Sequence, residues 1–396
     1  FYHCDCTKRE LSEEKMHINN DFQRISNISQ AFEIIWREKE ISRIDIARKL
    51  NAYRSTVSNI IDILLENKII CEGQRGEAGE KGGRKPIYLS INKAFGAIAG
   101  IELQPEFYNV VVIDFSGETI FSYSEEINFK TPEEYSEQSF ITLLDSIVNP
   151  LISKVKEKGI NLLGMSLALP GIIDTHKGVI RDSFCFNLKN VDFSSIFLNR
   201  YNIPLLIEND AKCCAWLHKG QSEAVKDFIC VLAREHKVEG IAVGLSVVMN
   251  NKIINGHNYA AGEYISVSWR KDKKGQTGLP EAVIKTLTSV EDSYNEWVKD
   301  LFSTLTVMIP LLEPCEIYLH GQKQEKREKI LSVISQDVSQ FEGAMNNYGA
   351  RLIITDEDGF EIAEGAALMY LQRLFEMQFL TDDYFYSVLN WDILFN

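Results

Sequence analysis

Asn209 and Asp210 close an apolar run, Pro204–Ile207, and open a helix-forming stretch. A side-by-side amide and carboxylate can take paired hydrogen bonds from adjacent sugar hydroxyls. Ligands of α/β proteins sit at the C-terminal ends of strands, where this pair stands. The same residues could equally cap the following helix, as Asn and Asp often do. Spacing weighs the two roles alike. A second set of residues suits nucleic acid. Arg54, Ser55, Thr56, Ser58 and Asn59 are short, polar or basic, at the start of a helical pattern. A helix entering a major groove needs such an end. Further on, Gly82-Gly83-Arg84-Lys85-Pro86 combines glycines that let backbone approach a surface with an Arg84 suited to a narrow, A·T-rich minor groove. The plainer alternative for this segment is three small helices making a protein contact.

Other reactive side chains read as bland. Cys213 and Cys214 point in different directions on one helix and suit buried apolar filler. His176 and His257 are isolated loop residues, and Cys4-x-Cys6 is too little for a structural zinc site. No metal and no cofactor follows from these spacings. Eight cysteines dispersed over 396 residues point to reduced thiols in a cytoplasmic protein.

The elements that must position these residues follow from periodicity. Ile28, Phe32 and Ile35 recur at helical spacing, with Trp36 beside them, and predict a helix over 25–39. Ser42-Arg43-Ile44-Asp45 is a capping-box pattern that opens a second helix. Asn51 tolerates the left-handed turn that ends it. A third helix runs from Arg54 to about Asn67, with Val57, Ile61 and Leu64 on its apolar face. Strands at 68–72 and 86–91 then flank a glycine-rich, charged turn, making a wing. Beyond Phe95 the pattern becomes alternating strands and helices. Strands are predicted at 97–103, 108–115, 162–169, 204–207, 227–232, 240–249, 316–319 and 351–355, and helices at 136–158, about 285–311 and 359–375. This is an α/β architecture with two lobes and a cleft. The predicted division is an extension over 1–16, a winged helix-turn-helix over 17–92 and the two-lobed part over 93–396.

Composition is compatible with this. Apolar residues make up 45% and charged residues 25%, which excludes disordered and collagen-like chains. No apolar run reaches the roughly 18–20 residues that span a bilayer, and no membrane partner is expected. Net charge is −14, yet 41–90 carries nine basic against six acidic residues. Such a chain could bind nucleic acid locally through that segment, but not polyanions at large.

The chain resembles the ROK family of repressors and sugar kinases, from about Asn19 to Phe375. Ile41–Ala47 with Ser55–Ser58 looks like the winged helix-turn-helix head of its regulators, and Gly82–Pro86 like the wing. Tyr53 departs from the usual capping Ser, implying a looser helix start. Leu169-Pro170-Gly171-Ile172-Ile173-Asp174 resembles the family's Pro-Gly loop. Asn187, Glu208-Asn209-Asp210-Ala211, Ala261-Gly262-Glu263 and Glu281 resemble its sugar contacts, Asp210 matching the base of the kinases. The resemblance implies an actin-like fold, sugar contacts at Asn187, Asn209, Asp210, Glu263 and Glu281, and DNA contacts at Arg54, Ser55, Thr56, Ser58, Asn59, Arg84 and Lys85.

Departures separate regulator from kinase. The first phosphate loop of the kinases is matched by Glu102-Leu103-Gln104-Pro105-Glu106. Pro105 has no N–H to donate, and Glu106 would repel phosphate. The second loop reads Gly240–Ser246, and the late Gly-Gly turn reads His320-Gly321. The family's zinc ligands are not matched: Ser266 stands at the His position, and Asp272–Leu279 holds neither Cys nor His. The expectation is therefore a non-enzymatic repressor of carbohydrate genes, with a double-stranded operator and a sugar or phosphosugar as partners, assembled as a homodimer or homotetramer. A sugar kinase with a DNA-binding head and a regulator with a vestigial pocket are the alternatives.

Overall fold

The structure is a computed structural model that describes residues 23–75, 86–128, 130–222, 224–236, 240–271, 275–355, 359–376 and 390–395. Arg84 and Lys85 lie outside the described residues.

The head comprises α1 (23–38), β1 (Ile41–Ser42), α2 (Arg43–Lys49), α3 (Arg54–Glu66), β2 (Ile70–Arg75) and β3 (Ile87–Ile91). Its strands form a small antiparallel sheet ordered β1-β3-β2. Ser42 caps α2 through the Asp45 N–H at 3.3 Å, and its hydroxyl donates to the Asp45 carboxylate at 2.6 Å. Asn51 takes φ +49°, the left-handed turn its side chain tolerates. Tyr53 precedes α3 without a side-chain cap bond, so the first turn of that helix keeps free N–H groups.

The first lobe contains β4 (Ala97–Leu103), β5 (Phe107–Asp114), β6 (Thr119–Glu126), α4 (Glu137–Glu157), β7 (Leu162–Leu169), β8 (Ile172–Asp174), β9 (Val179–Ser183), β10 (Leu188–Asp192), α5 (Phe193–Tyr201), β11 (Leu205–Asn209) and α6 (Asp210–Gln221). Its main sheet is ordered β11-β7-β4-β5-β6, and β8, β9 and β10 form a separate meander. Strand β4 is buried along its whole length, which is why it reads as an unbroken apolar run apart from Glu102.

The second lobe contains β12 (Phe228–His236), β13 (Gly240–Met249), β14 (Lys252–Ile253), α7 (Glu281–Ile284), α8 (Glu291–Leu312), β15 (Glu316–His320), α9 (Arg327–Asp337), α10 (Ser339–Tyr348) and β16 (Arg351–Ile354). Its sheet is ordered β14-β13-β12-β15-β16. The chain then returns through α11 (Glu361–Arg373) and ends in the turn α12 (Trp391–Leu394). Helix α11 is buried on nearly every side, against α6 and β4. A Cβ at Gly365 would meet the Cys213 carbonyl at 2.0 Å, so glycine permits that close crossing.

The helix predicted over 25–39 does not belong to the head alone. Phe32 of α1 packs against Phe115, Phe375 and Trp391, with ring centroids 5.4, 5.6 and 5.0 Å away. Trp391 also donates its indole N–H to Ser29 at 2.8 Å. The apolar face of α1 thus ties head, first lobe and C-terminal turn into one core.

Candidate functional site

The two lobes enclose a cavity of about 310 Å³. From the first lobe it is lined by the loop after β4 (Gln104, Glu106), the Pro170-Gly171 turn after β7, and Asn209-Asp210 where β11 meets α6. From the second lobe come Arg234 of β12, Val243 of β13, Glu263 and Gln276. These are strand ends and turns, where a ligand meets polar groups set by a rigid sheet.

Asn209 realises the capping role. Its Oδ1 accepts the Lys212 N–H at 3.2 Å, and its Nδ2 donates to the Gly171 carbonyl at 3.0 Å. Asp210 begins the helix: Oδ1 accepts the Ala211 N–H at 2.9 Å and Oδ2 accepts Gln104 Nε2 at 3.0 Å. Each carboxylate oxygen has further lone-pair capacity for a ligand hydroxyl. Glu208, buried beside them, accepts the Asn209 N–H at 2.9 Å. Glu263 lines both this cavity and an adjoining one of about 520 Å³. Asn187 lines the adjoining one, at φ +49°, with Nδ2 donating to the Tyr135 carbonyl at 3.2 Å.

Glu281 is not brought to either cavity. It sits at the start of α7, largely exposed, paired with Lys285 at 2.7 Å. The family resemblance assigned it a sugar contact, but it lies outside the lining of both cavities. Ser266, at the His position of the family, is buried and donates to Asp300 at 2.7 Å, while its backbone N–H donates to Gln276 at 2.8 Å. Ser268 also donates to Asp300 and accepts the Gly278 N–H at 3.0 Å. These bonds join Ser266 and Ser268 to Gln276 and Gly278.

Gly171 is a requirement of the turn. At φ +138° an added Cβ would stand 2.4 Å from the Asp182 carbonyl. Gly171→Ala is expected to cost about 1–3 kcal/mol, read as a lower midpoint in urea unfolding. An unchanged midpoint would mean that the loop relaxes freely.

Four cleft residues were not anticipated as ligands of anything: Gln104, Glu106, Arg234 and Gln276. Arg234 forms an ion pair with Glu102 across the lobes, and Glu102 also accepts Asn109 Nδ2 at 2.9 Å. Burial disfavours the guanidinium charge, but Glu102 more than offsets this and holds it above its ordinary range. Glu106 Oε1 is buried without a hydrogen-bond partner among the described residues, an acceptor ready for a donor. Gln276 bonds both the N–H of Val243, at 2.8 Å, and its C=O, at 2.6 Å. The backbone of β13 from Gly240 to Gly244 pairs in register with β12 from Leu232 to His236. In that antiparallel pair alternate residues bond to β12, and Val243, which turns the other way, is taken up by Gln276.

In the head, Arg54, Ser55 and Asn59 are exposed on α3, and Thr56 and Ser58 are half-exposed beside them. Tyr53, 84% exposed, extends this surface and was legible beforehand only as a missing cap. Cys213 and Cys214 are buried, and burial pushes the Cys213 thiol well up.

A winged head in front of two lobes that close on a polar cleft defines a protein of the actin-like sugar-kinase fold with an added helix-turn-helix. Residues 99–267 match the ROK family, and the chain carries a ROK-family domain. It is 30% identical over 276 residues to a xylose repressor of Caldicellulosiruptor bescii, covering 65% of this chain and 66% of that one. It thus spans just under two thirds of that relative's length. It is 25% identical over 331 residues to a xylose repressor of Staphylococcus xylosus, covering 82% and 78%. A crystal structure of a ROK family transcriptional regulator, homologous to the Mlc protein of E. coli, superposes with a TM-score of 0.72 at 16% identity, covering 93% of this chain and 99% of that one.

Proposed function

We propose that the protein is a DNA-binding repressor of sugar-utilisation genes whose interlobe cleft binds a sugar effector. The observation that carries this reading is the union of a polar-fronted α3 with a cleft rich in hydroxyl acceptors: Asp210, Glu263 and Glu106, whose Oε1 has no hydrogen-bond partner among the described residues. The names of the relatives favour a pentose such as xylose. Arg54, Ser55, Thr56, Ser58 and Asn59 read the major groove, and Arg84 and Lys85 supply the wing. Two copies would set two heads on a near-palindromic operator. Sugar binding draws the lobes together and alters the spacing of the heads, a coupling that is reciprocal.

Phosphoryl transfer is not part of the proposal. It rests on positioning and charge stabilisation of phosphates. Here Glu102 and Arg234 neutralise one another, Pro105 donates no N–H, and Gln276 occupies the N–H and C=O of Val243 on β13. No described helix is long and apolar enough to cross a membrane.

The test is titration of the protein onto DNA from upstream of its own gene, at two salt concentrations, with xylose, other sugars and phosphosugars. Tight, salt-sensitive binding released by one sugar is the expected result. Binding indifferent to every sugar would overturn the effector assignment, and failure on genomic fragments would overturn the DNA assignment. Arg54→Ala is expected to weaken operator binding by about 1–3 kcal/mol if Arg54 reads a base. A uniform loss across sequences, with the salt slope reduced by about 1, would instead mark it as a phosphate contact.

A further inference from the structure

A cluster outside the cleft joins α6 to the second sheet. His218 lies in the last turns of α6, Cys230 in β12 and His320 at the end of β15. The ligand atoms of all three lie within 4.8 Å of one another, and the two Nε2 atoms are 2.9 Å apart. We propose that His218, Cys230 and His320 bind a transition-metal ion of the zinc class.

The surroundings prepare His320 for this. Thr355 donates its hydroxyl hydrogen to the Leu319 carbonyl at 3.0 Å, and its oxygen lies 3.3 Å from His320 Nδ1. With that hydrogen committed, the hydroxyl accepts from Nδ1–H. The neutral ring then carries its lone pair on Nε2, which faces His218. Outer-shell partners of ligating histidines fix the tautomer in this way. The His218 ring is held by stacking on Tyr318, centroids 3.6 Å apart and planes 17° apart, with Phe228 set edge-on.

Two imidazoles and one thiolate form a borderline-soft donor set suited to Zn²⁺ and, as a probe, Co²⁺. Zinc–nitrogen bonds of about 2.0–2.1 Å place tetrahedral nitrogens roughly 3.4 Å apart, so the rings separate by about half an ångström. The Cys230 thiol gives up its proton to solvent as the sulfur–metal bond forms. The three ligand groups lie buried together, and a water entering with the ion would complete a fourfold set. A bound ion fastens the end of α6 to the second sheet, and α6 begins at Asp210 in the cleft. A metal-free pair of hydrogen-bonded histidines is the competing arrangement.

The experiment uses the full chain with Cys4→Ser and Cys6→Ser, which removes a second pair of thiols from the measurement. After chelator treatment it is titrated with Co²⁺ without oxygen, followed by Zn²⁺. One equivalent of Co²⁺ should give visible ligand-field bands and a thiolate-to-cobalt absorption in the near ultraviolet, both lost when Zn²⁺ displaces it. Cys230→Ser should lose the thiolate absorption. Thr355→Val keeps all three ligands and removes only the orienting hydroxyl, and should weaken Co²⁺ affinity by about 10–100-fold. Absence of stoichiometric bands, or a thiolate absorption that survives Cys230→Ser, would overturn the site. Co²⁺ affinity unchanged in Thr355→Val would overturn the assigned orientation of His320.

Discussion

Asp210→Asn is expected to lower the affinity of the cleft for its sugar by about 10–100-fold while operator affinity stays within twofold. A hydrogen bond from a ligand hydroxyl to a carboxylate is worth about 1.5–3 kcal/mol, and each 1.4 kcal/mol is tenfold in affinity. The substitution is close to isosteric. The side-chain oxygen of Asn can still accept the Ala211 N–H, and the one bond put at risk is that from Gln104, whose amide also faces Glu102. The fold therefore tolerates the change. Helix α3 packs its apolar face on α2 and β2, and none of its residues lines the cleft, so the DNA contacts are preserved. Fluorescence anisotropy of a labelled operator, with and without sugar, reads both quantities. Release at unchanged sugar concentration would remove Asp210 from the binding set. Lost operator binding would show that the two roles are not separable.

The second large effect concerns the ion pair between the lobes. Glu102 is fully buried and Arg234 is mostly so, with 22% of its side chain exposed. Removing one partner leaves a buried charge without its counterion, which costs about 3–5 kcal/mol. Glu102→Met should therefore destabilise the protein by that amount in urea unfolding. Glu102→Met combined with Arg234→Met should recover most of the loss, because two apolar side chains leave no charge to desolvate. The cycle isolates the pair from the separate effects of each residue. If the double variant were as unstable as the sum of the singles, the two groups would be acting independently. The pair also bears on mechanism: it spans the lobes, so any closure that a sugar drives must keep or break it.

The elements most legible in advance were those with a continuous local pattern. The strands at 97–103, 162–169 and 240–249 have the predicted bounds, because each is a long, almost wholly apolar run. Helix α4 followed from the spacing of Phe140, Leu144, Ile147 and Leu151. Strand β6 was not predicted. Most of Thr119–Glu126 is exposed, and it is a strand because β5 offers it an edge. The strand β8 escaped notice because it has three residues, β9 and β10 because polar residues interrupt them, and α9 and α10 because their faces are broken by polar residues. The single long helix expected near 285–311 is α8 preceded by the separate turn α7, which begins at Glu281.

Local chemistry was carried by neighbours in the chain: the Ser42 cap, the Asn51 turn, the polar face of α3, and the Asn209-Asp210 pair with its double role. Short-range hydrogen bonds and backbone preferences decide such features, and they involve residues only a few positions apart. The partners of Asp210 and Glu102 were decided by tertiary structure. Gln104 reaches Asp210 from 106 positions away, and Arg234 reaches Glu102 from 132. His218, Cys230 and His320 meet only because α6 packs on the sheet that holds the other two. The sharing of α1 between head and lobe has the same origin. A ligand set or an ion pair assembled from different elements has no spacing of its own in the chain. Its geometry is fixed by how the sheets and helices pack, and that is settled only once the lobes have closed on one another.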